Sequence, residues 1–120
     1  MFGSNEAGIH GAGAAKLALD KFGAEYNRGF GFYGQSFAIP TKDYSIRTLS
    51  LDRIKYHIMF FEDFANNNPN LVFLVTEIGC GLAGYSPEDI APLFESSYRL
   101  SNVYMPKRFW DVHFNKNKTI

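Results

Sequence analysis

The sequence predicts an α/β fold, a mostly parallel sheet flanked by helices, in a single domain spanning residues 1–120. Three observations predict it. Short apolar runs alternate with helical patterns along the chain, the order expected of strands joined by helical crossovers. One run, "LVFLVTEIG" at 71–79, is almost continuously apolar, as a strand buried on both faces of a parallel sheet would be. Two glycine-rich stretches, "GSNEAGIHGAGAAK" at 3–16 and "GCGLAGY" at 79–85, each follow a strand and precede a helix.

The elements follow in order. Met1 and Phe2 read as the end of a strand whose beginning is absent. Residues 11–23 read as a helix, with alanines as strong helix formers and Gly23 as its C-terminal cap. Residues 24–34 read as a loop; its Phe30, Phe32 and Tyr33 either stack on a base or cover the core, and the reading leans to the core. Residues 35–39 form a short strand ended by Pro40. Ser50 is a good N-cap, and Leu51, Ile54, Ile58, Phe61 and Ala65 fall on one helical face until "NNNPN" stops the helix at 66–70. Ser86 caps a further helix, with Pro87 at its first position and Asp89 in its first turn. Residues 102–106 give a last strand, and the aromatic tail through Trp110 and Phe114 packs on the body.

Composition narrows the function classes. With 46% hydrophobic and 17% aromatic residues the chain belongs among folded domains rather than disordered ones. Twelve basic residues balance twelve acidic ones, so nothing global argues for nucleic acid or an anionic membrane. A local basic groove of Lys42, Lys107 and Arg108 stays open. The single cysteine, Cys80, excludes an internal disulfide and suits a reducing cytoplasm. No apolar run reaches the ~20 residues of a membrane span, and no leader resembles a signal peptide. A cytoplasmic protein without a membrane partner is the expectation.

The paired glycine loops carry the chemistry. Ligands of open α/β sheets gather at the carboxyl ends of strands. A helix N-terminus there presents unpaired N–H groups and partial positive charge, and glycine lets a phosphate lie against backbone. Two such loops suit a diphosphate gripped from both sides. Neither is a Rossmann or P-loop signature. The plainer alternative is that the glycines make tight turns and nothing more.

These residues resemble the macro domain, the ADP-ribose-binding α/β module. Asn5 followed by Gly11-Ala12-Gly13 and Ala14-Ala15 fits the family's first loop, and "IGCGLAGY" at 78–85 fits its second. Within the family the chain is most similar to the branch of terminal ADP-ribose glycohydrolases and DNA-directed antitoxins, through "DKF" at 20–22, "IGCGL" at 78–82 and the Thr-Lys pair of "IPTKD" at 39–43.

The resemblance implies a three-layer sandwich with its first strand truncated. It implies ligand contacts from Ser4, Asn5, Gly11, Ala12, Gly13, Ala14, Thr41, Gly79, Cys80, Gly81, Leu82, Ala83, Gly84 and Tyr85. It places Lys42 where the family has its catalytic lysine, with His10 as the one plausible proton shuttle in the first loop. A lysine beside a bound ribose can attack C1″, or the opened aldehyde, and form a Schiff-base-type adduct. That route needs a neutral amine, whereas Asp43 and Asp20 would hold the lysine charged and inert.

Three departures bear on this. The adenine-contacting Asp of many macro domains precedes the Asn motif, and the chain begins too late to contain it. Ala83 stands where the terminal glycohydrolases carry an acid, a group worth ~10²–10⁴ in rate where such acids act; the DNA-directed branch relies on the lysine without it. Ala12 replaces the middle glycine of the first triplet.

The expected partner is ADP-ribose or an NAD-derived relative, free or carried on protein or nucleic acid. A second copy of the chain could cover an exposed sheet edge. No cofactor is expected, and His10, His57, His113 and Cys80 lack metal-ligand spacing. His57 and His113 read as structural, and Cys80 as a small loop residue. Catalysis stays open against two alternatives: a non-catalytic binder of another nucleotide signal, such as a cyclic ADP-ribose isomer, and a structural or interaction domain without ligand.

Overall fold

A computed structural model of the chain describes residues 1–5, 31–33, 36–43, 45, 47–81 and 83–118, and their arrangement is mixed α/β. The helix expected at 11–23, its cap Gly23 and the loop up to Phe30 lie outside the described residues. Strand β1 (Phe2–Asn5) pairs in parallel with β3 (Ser36–Lys42), and β2 (Gly31–Tyr33) pairs antiparallel with β3 on its other side. A second, two-stranded parallel sheet joins β4 (Phe73–Leu74) to β5 (Val103–Tyr104).

The Met1 backbone links the two sheets. Its nitrogen donates to the Leu74 carbonyl (2.9 Å), and its carbonyl accepts from the Thr76 N–H (3.2 Å) and hydroxyl (2.9 Å). That is the slanted pattern of a parallel ladder. It sets β1 beside β4 with both strands running the same way.

Four sequence expectations change here. The first strand does not end at Phe2 but runs on to Asn5, paired along β3. Residues 31–33 are a strand rather than loop: two residues separate Tyr33 from Ser36, hairpin spacing, and Phe32 and Tyr33 are good strand formers. Pro40 does not end β3, which runs on to Lys42. β2 pairs no further along β3 than Ala38, so at position 40 that side asks for no ladder N–H, which proline lacks. The 71–79 run is buried on one face instead of two: Phe73 and Val75 are buried, while Val72 and Leu74 are 64% and 67% exposed. Its paired strand is also shorter than expected, at two residues.

Helix α1 (Leu51–Asn67) begins where the sequence places it, with the Ser50 hydroxyl accepting from the Arg53 N–H. It buries Ile54, Ile58, Phe61 and Ala65 against β3 and β4. Phe61 meets Phe37 and Phe73 edge to face, with centroids at 5.2 and 5.3 Å, each such contact worth about 0.5–1.5 kcal/mol beyond burial. Helix α2 (Pro87–Ile90) opens on the Asp89 carboxylate accepting from the Ser86 N–H (3.1 Å), the return arm of a capping box. Two 3-10 turns, Ala91–Leu93 and Ser97–Arg99, lead on to β5. The aromatic tail is a helix, α3 (Lys107–Lys118). Phe109 packs on Phe94 in the core, Trp110 is half-buried, and Phe114 is exposed against the expectation that it would be covered.

Two buried polar groups hold these pieces in register. The Asn102 amide donates to the carbonyls of Ala65 (2.9 Å), Asn68 (3.2 Å) and Leu71 (3.0 Å), which closes the end of α1 onto β5. The Glu62 carboxylate accepts from the Ser96 N–H (2.9 Å) and the Ser97 hydroxyl (2.7 Å). Burial raises its pKa above 4.5, with the hydrogen bonds from Ser97 and Ser96 pulling the other way.

Asn102→Ala is expected to lower stability by about 1–3 kcal/mol, through the lost side-chain hydrogen bonds and the Leu71 carbonyl left without its donor, while the Ala65 and Asn68 carbonyls keep the N–H groups of Asn68 and Leu71. Asn102→Asp, which sets a carboxylate against three carbonyls, is expected to cost more. Urea unfolding measures both, with an unchanged m-value marking a pure stability effect. A raised carboxyl pKa in the folded state means its stabilising share is full below the unfolded value of 4.5 and is lost as pH rises through the folded value. The stability of the wild type relative to Glu62→Gln should therefore fall as pH climbs above 4.5. A flat difference would show that Glu62 has the same affinity for protons folded and unfolded.

Candidate functional site

Parallel pairing brings the carboxyl ends of β1 and β3 to one edge. The register runs Phe2 with Ala38, Gly3 with Ile39 and Ser4 with Pro40, and then shifts so that Asn5 faces Lys42 and Thr41 is the extra residue. Bulges of this kind re-aim side chains beside functional sites. Without the shift Asn5 would align with Thr41. Ser4 and Thr41 are buried, and the Thr41 hydroxyl donates to the Ser4 carbonyl (3.2 Å), fixing the two strand ends to each other.

The second glycine loop reaches the same edge. A Cβ on Gly3 would stand 3.3 Å from Ile78 and 3.5 Å from Thr41, so β1 is wedged between β3 and the start of that loop. Within the loop the Gly84 N–H donates to the Gly81 carbonyl (3.0 Å) and the Tyr85 N–H to the Gly79 carbonyl (2.8 Å). Two side-chain hydrogen bonds then join the loop and the segment after Lys42, one from each side. The Tyr85 hydroxyl donates to the Leu49 carbonyl (2.6 Å), and the Thr48 hydroxyl donates to the Ala83 carbonyl (3.0 Å).

Lys42 is half-buried at the end of β3, its backbone bridged antiparallel to Thr48. The Asp43 carboxylate is bonded within its own loop. Its Oδ1 accepts from the N–H groups of Ser45 (2.8 Å) and Arg47 (2.9 Å), and Oδ2 faces the Arg47 guanidinium at 3.3 Å. The Arg47 N–H, above all, holds its carboxyl below the usual range. This carboxylate closes a turn, its hydrogen bonds coming from Ser45 and Arg47.

The glycines divide by physical role. Gly79 has φ +74°, and a Cβ there would meet Ile90 at 3.0 Å; Gly84 has φ +87° in open space. Gly81 has neither a left-handed φ nor any atom within 4 Å of an added Cβ. The fold demands glycine at 79 and 84 and tolerates a side chain at 81. Cys80 is half-buried, and burial, with Glu77 next, pushes its thiol up to about 11. It is a neutral thiol at ordinary pH and not a nucleophile.

The structure thus gathers Ser4, Asn5, Thr41, Lys42 and the described residues of 79–85 at one edge. His10, Gly11, Ala12, Gly13, Ala14 and Leu82, with Asp20, lie outside the described residues. Lys107 pairs with Asp111 (3.2 Å) and Arg108 with Glu77 (3.3 Å), so each of these cations brings its own counter-charge to the basic groove. His57 is buried in α1, and His113 stacks on Tyr98 at 4.1 Å, as structural histidines do. Among the described residues no group of three His, Cys, Asp or Glu could hold a metal ion, and no helix is long and apolar enough to cross a membrane. Sequence reasoning missed Thr48 altogether; its partner lies 35 residues away, and no local pattern marks the pair. Compared with known families, curated proteins and solved structures, the chain matches no family model, no curated relative and no solved structure.

Gly79→Ala is expected to lose about 1–3 kcal/mol through backbone strain and the Ile90 contact. Gly81→Ala should stay within about 0.5 kcal/mol of wild type, as exposed positions do. Thermal melts of the two variants compare them directly. A large loss at Gly81 would return that glycine to a purely structural role.

Proposed function

We propose that the chain is a macro-domain-like module that binds ADP-ribose or a close NAD-derived nucleotide. On this reading its architecture is the three-layer sandwich of that family, with a mostly parallel sheet between helices. The observation that supports it most is the facing of Asn5 and Lys42 across the shifted β1–β3 register, with the second glycine loop bound to the turn after Lys42. Gly81 adds to it: an exposed glycine that neither packing nor φ requires leaves backbone bare for a close-lying ligand. The pyrophosphate would lie between residues 11–14 and the loop at 79–85, with Asn5 on the distal ribose and Lys42 beside its C1″.

Two chemistries share this site. As a hydrolase, the chain would attack C1″ with the neutral Lys42 amine, breaking the bond from C1″ to the macromolecule, which leaves with a proton, and water would then hydrolyse the lysine adduct to free ADP-ribose. As a binder, it would hold the nucleotide without turnover. One observation favours the binder: the second loop has alanine at the family's acid position.

Titration calorimetry of the full chain with free ADP-ribose is expected to show saturable heat, and competition with a cyclic isomer ranks the two ligands. Folded protein at high micromolar concentration that gives no heat overturns the reading. Lys42→Ala should abolish release of ADP-ribose while binding survives, if the hydrolase chemistry operates. ADP-ribosylated DNA and ADP-ribosylated protein, assayed side by side, decide that point. Both substrates left intact by the unmutated chain would leave the binding module and remove the hydrolase.

A further inference from the structure

Thr48 does nothing for the core. It is exposed, on a segment whose backbone is already closed by Leu49 N–H to the Thr41 carbonyl and Asp43 N–H to the Arg47 carbonyl, both at 2.8 Å. Yet its hydroxyl spans to the Ala83 carbonyl, in the middle of the second glycine loop, while its backbone bridges Lys42. Among the described residues, the ends of the loop are anchored by Cys80 and Tyr85 packing on the core, and Thr48 and Tyr85 give the side-chain hydrogen bonds between the loop and the segment after Lys42. Gly81 and Gly84 are exposed and have no side chains to pack, and the other cross-tie, Tyr85 to Leu49, lies at the loop's far end.

We propose that Thr48 is a positioning residue that ties the second glycine loop to the turn carrying Lys42, so that the two sides of the cleft hold one geometry. Its consequence for a ligand rests on the nucleotide reading above; the tie itself does not. When a nucleotide lies against residues 79–85, the lysine is held at a fixed distance from it through the bonded path Ala83–Thr48–Lys42. Loss of the hydroxyl leaves the fold intact and lets the loop and the lysine turn move separately.

Thr48→Val removes the hydroxyl and keeps the branched shape; Thr48→Ser keeps the hydroxyl. Amide hydrogen exchange on the ligand-free full chain reads the tie at Gly84 N–H and at Asp43 N–H. Thr48→Val is expected to speed exchange at both sites by about threefold to tenfold, the range that one net hydrogen bond sets, with the melting midpoint nearly unchanged. Thr48→Ser should restore wild-type exchange. ADP-ribose affinity should weaken over the same range in Thr48→Val and recover in Thr48→Ser.

Exchange that changes at one site alone, or at neither, overturns the proposal. So does a fall in melting midpoint shared by both variants, which would make position 48 merely structural. Exchange that responds as expected while the wild type binds no ADP-ribose keeps the tie and rejects the nucleotide reading.

Discussion

Parallel pairing of β1 with β3 is the constraint on which the rest depends. β1 is four residues long, yet its edge is shared with β3 on one side and, through Met1, with β4 on the other. Parallel neighbours cannot be joined by a tight turn. Their shared direction sends three chain segments out of the sheet at the same end. There the Asn5–Lys42 pairing and the loop at 79–85 meet. The shift after Ser4 adds the final adjustment, since without it the lysine would have Thr41 in its place opposite Asn5.

Below this edge the packing is conventional, and it leaves the site rigidly founded. Phe37, Phe61 and Phe73 interlock between α1 and the two sheets, so neither sheet can slide without breaking aromatic contacts. Asn102 ties α1 to β5 by hydrogen bonds to three carbonyls, and Glu62 ties it to the 3-10 turn before β5. The two differ in electrostatic sign. The Asn102 amide is neutral and its donors are spent on carbonyls. Glu62 carries a desolvation penalty when charged, which its donors offset in part.

What was legible in the sequence was local. Ser50 and its apolar stripe fixed the start and buried face of α1, because capping and helical period act within a few residues. Ser86, Pro87 and Asp89 likewise marked the start of α2. The glycine loop at 79–85 was legible as a turn after a strand, and Gly79 and Gly84 have the positive φ that such turns need. The misses depend on neighbours. Pro40 reads as a strand end unless β2 is known to stop short of it. The 71–79 run reads as doubly buried because its sequence does not reveal that one face is open at Val72 and Leu74. Thr48 and Asn102 act across more than thirty residues, where composition and period are silent.

The same division explains what kind of site this edge makes. Among the described residues its second loop offers backbone rather than chemistry: the Ala83 side chain carries no proton, the Cys80 thiol keeps its own, and the Ala83 carbonyl is turned to Thr48. Asp43 spends its carboxylate on Ser45 and Arg47. Lys42 is the ionisable side chain of these two strands, its charge taken up by no ion pair with another described residue, and its backbone pairs with that of Asn5. Backbone N–H groups bind anions by geometry, and geometry is what the bulge, the positive-φ glycines and the Thr48 tie control. A single lysine without a partnering acid in that loop makes attack at an anomeric carbon harder than recognition of a diphosphate. On the proposed nucleotide-binding reading, this edge would hold its ligand by backbone geometry, and turnover would have to draw its proton from outside the described loop.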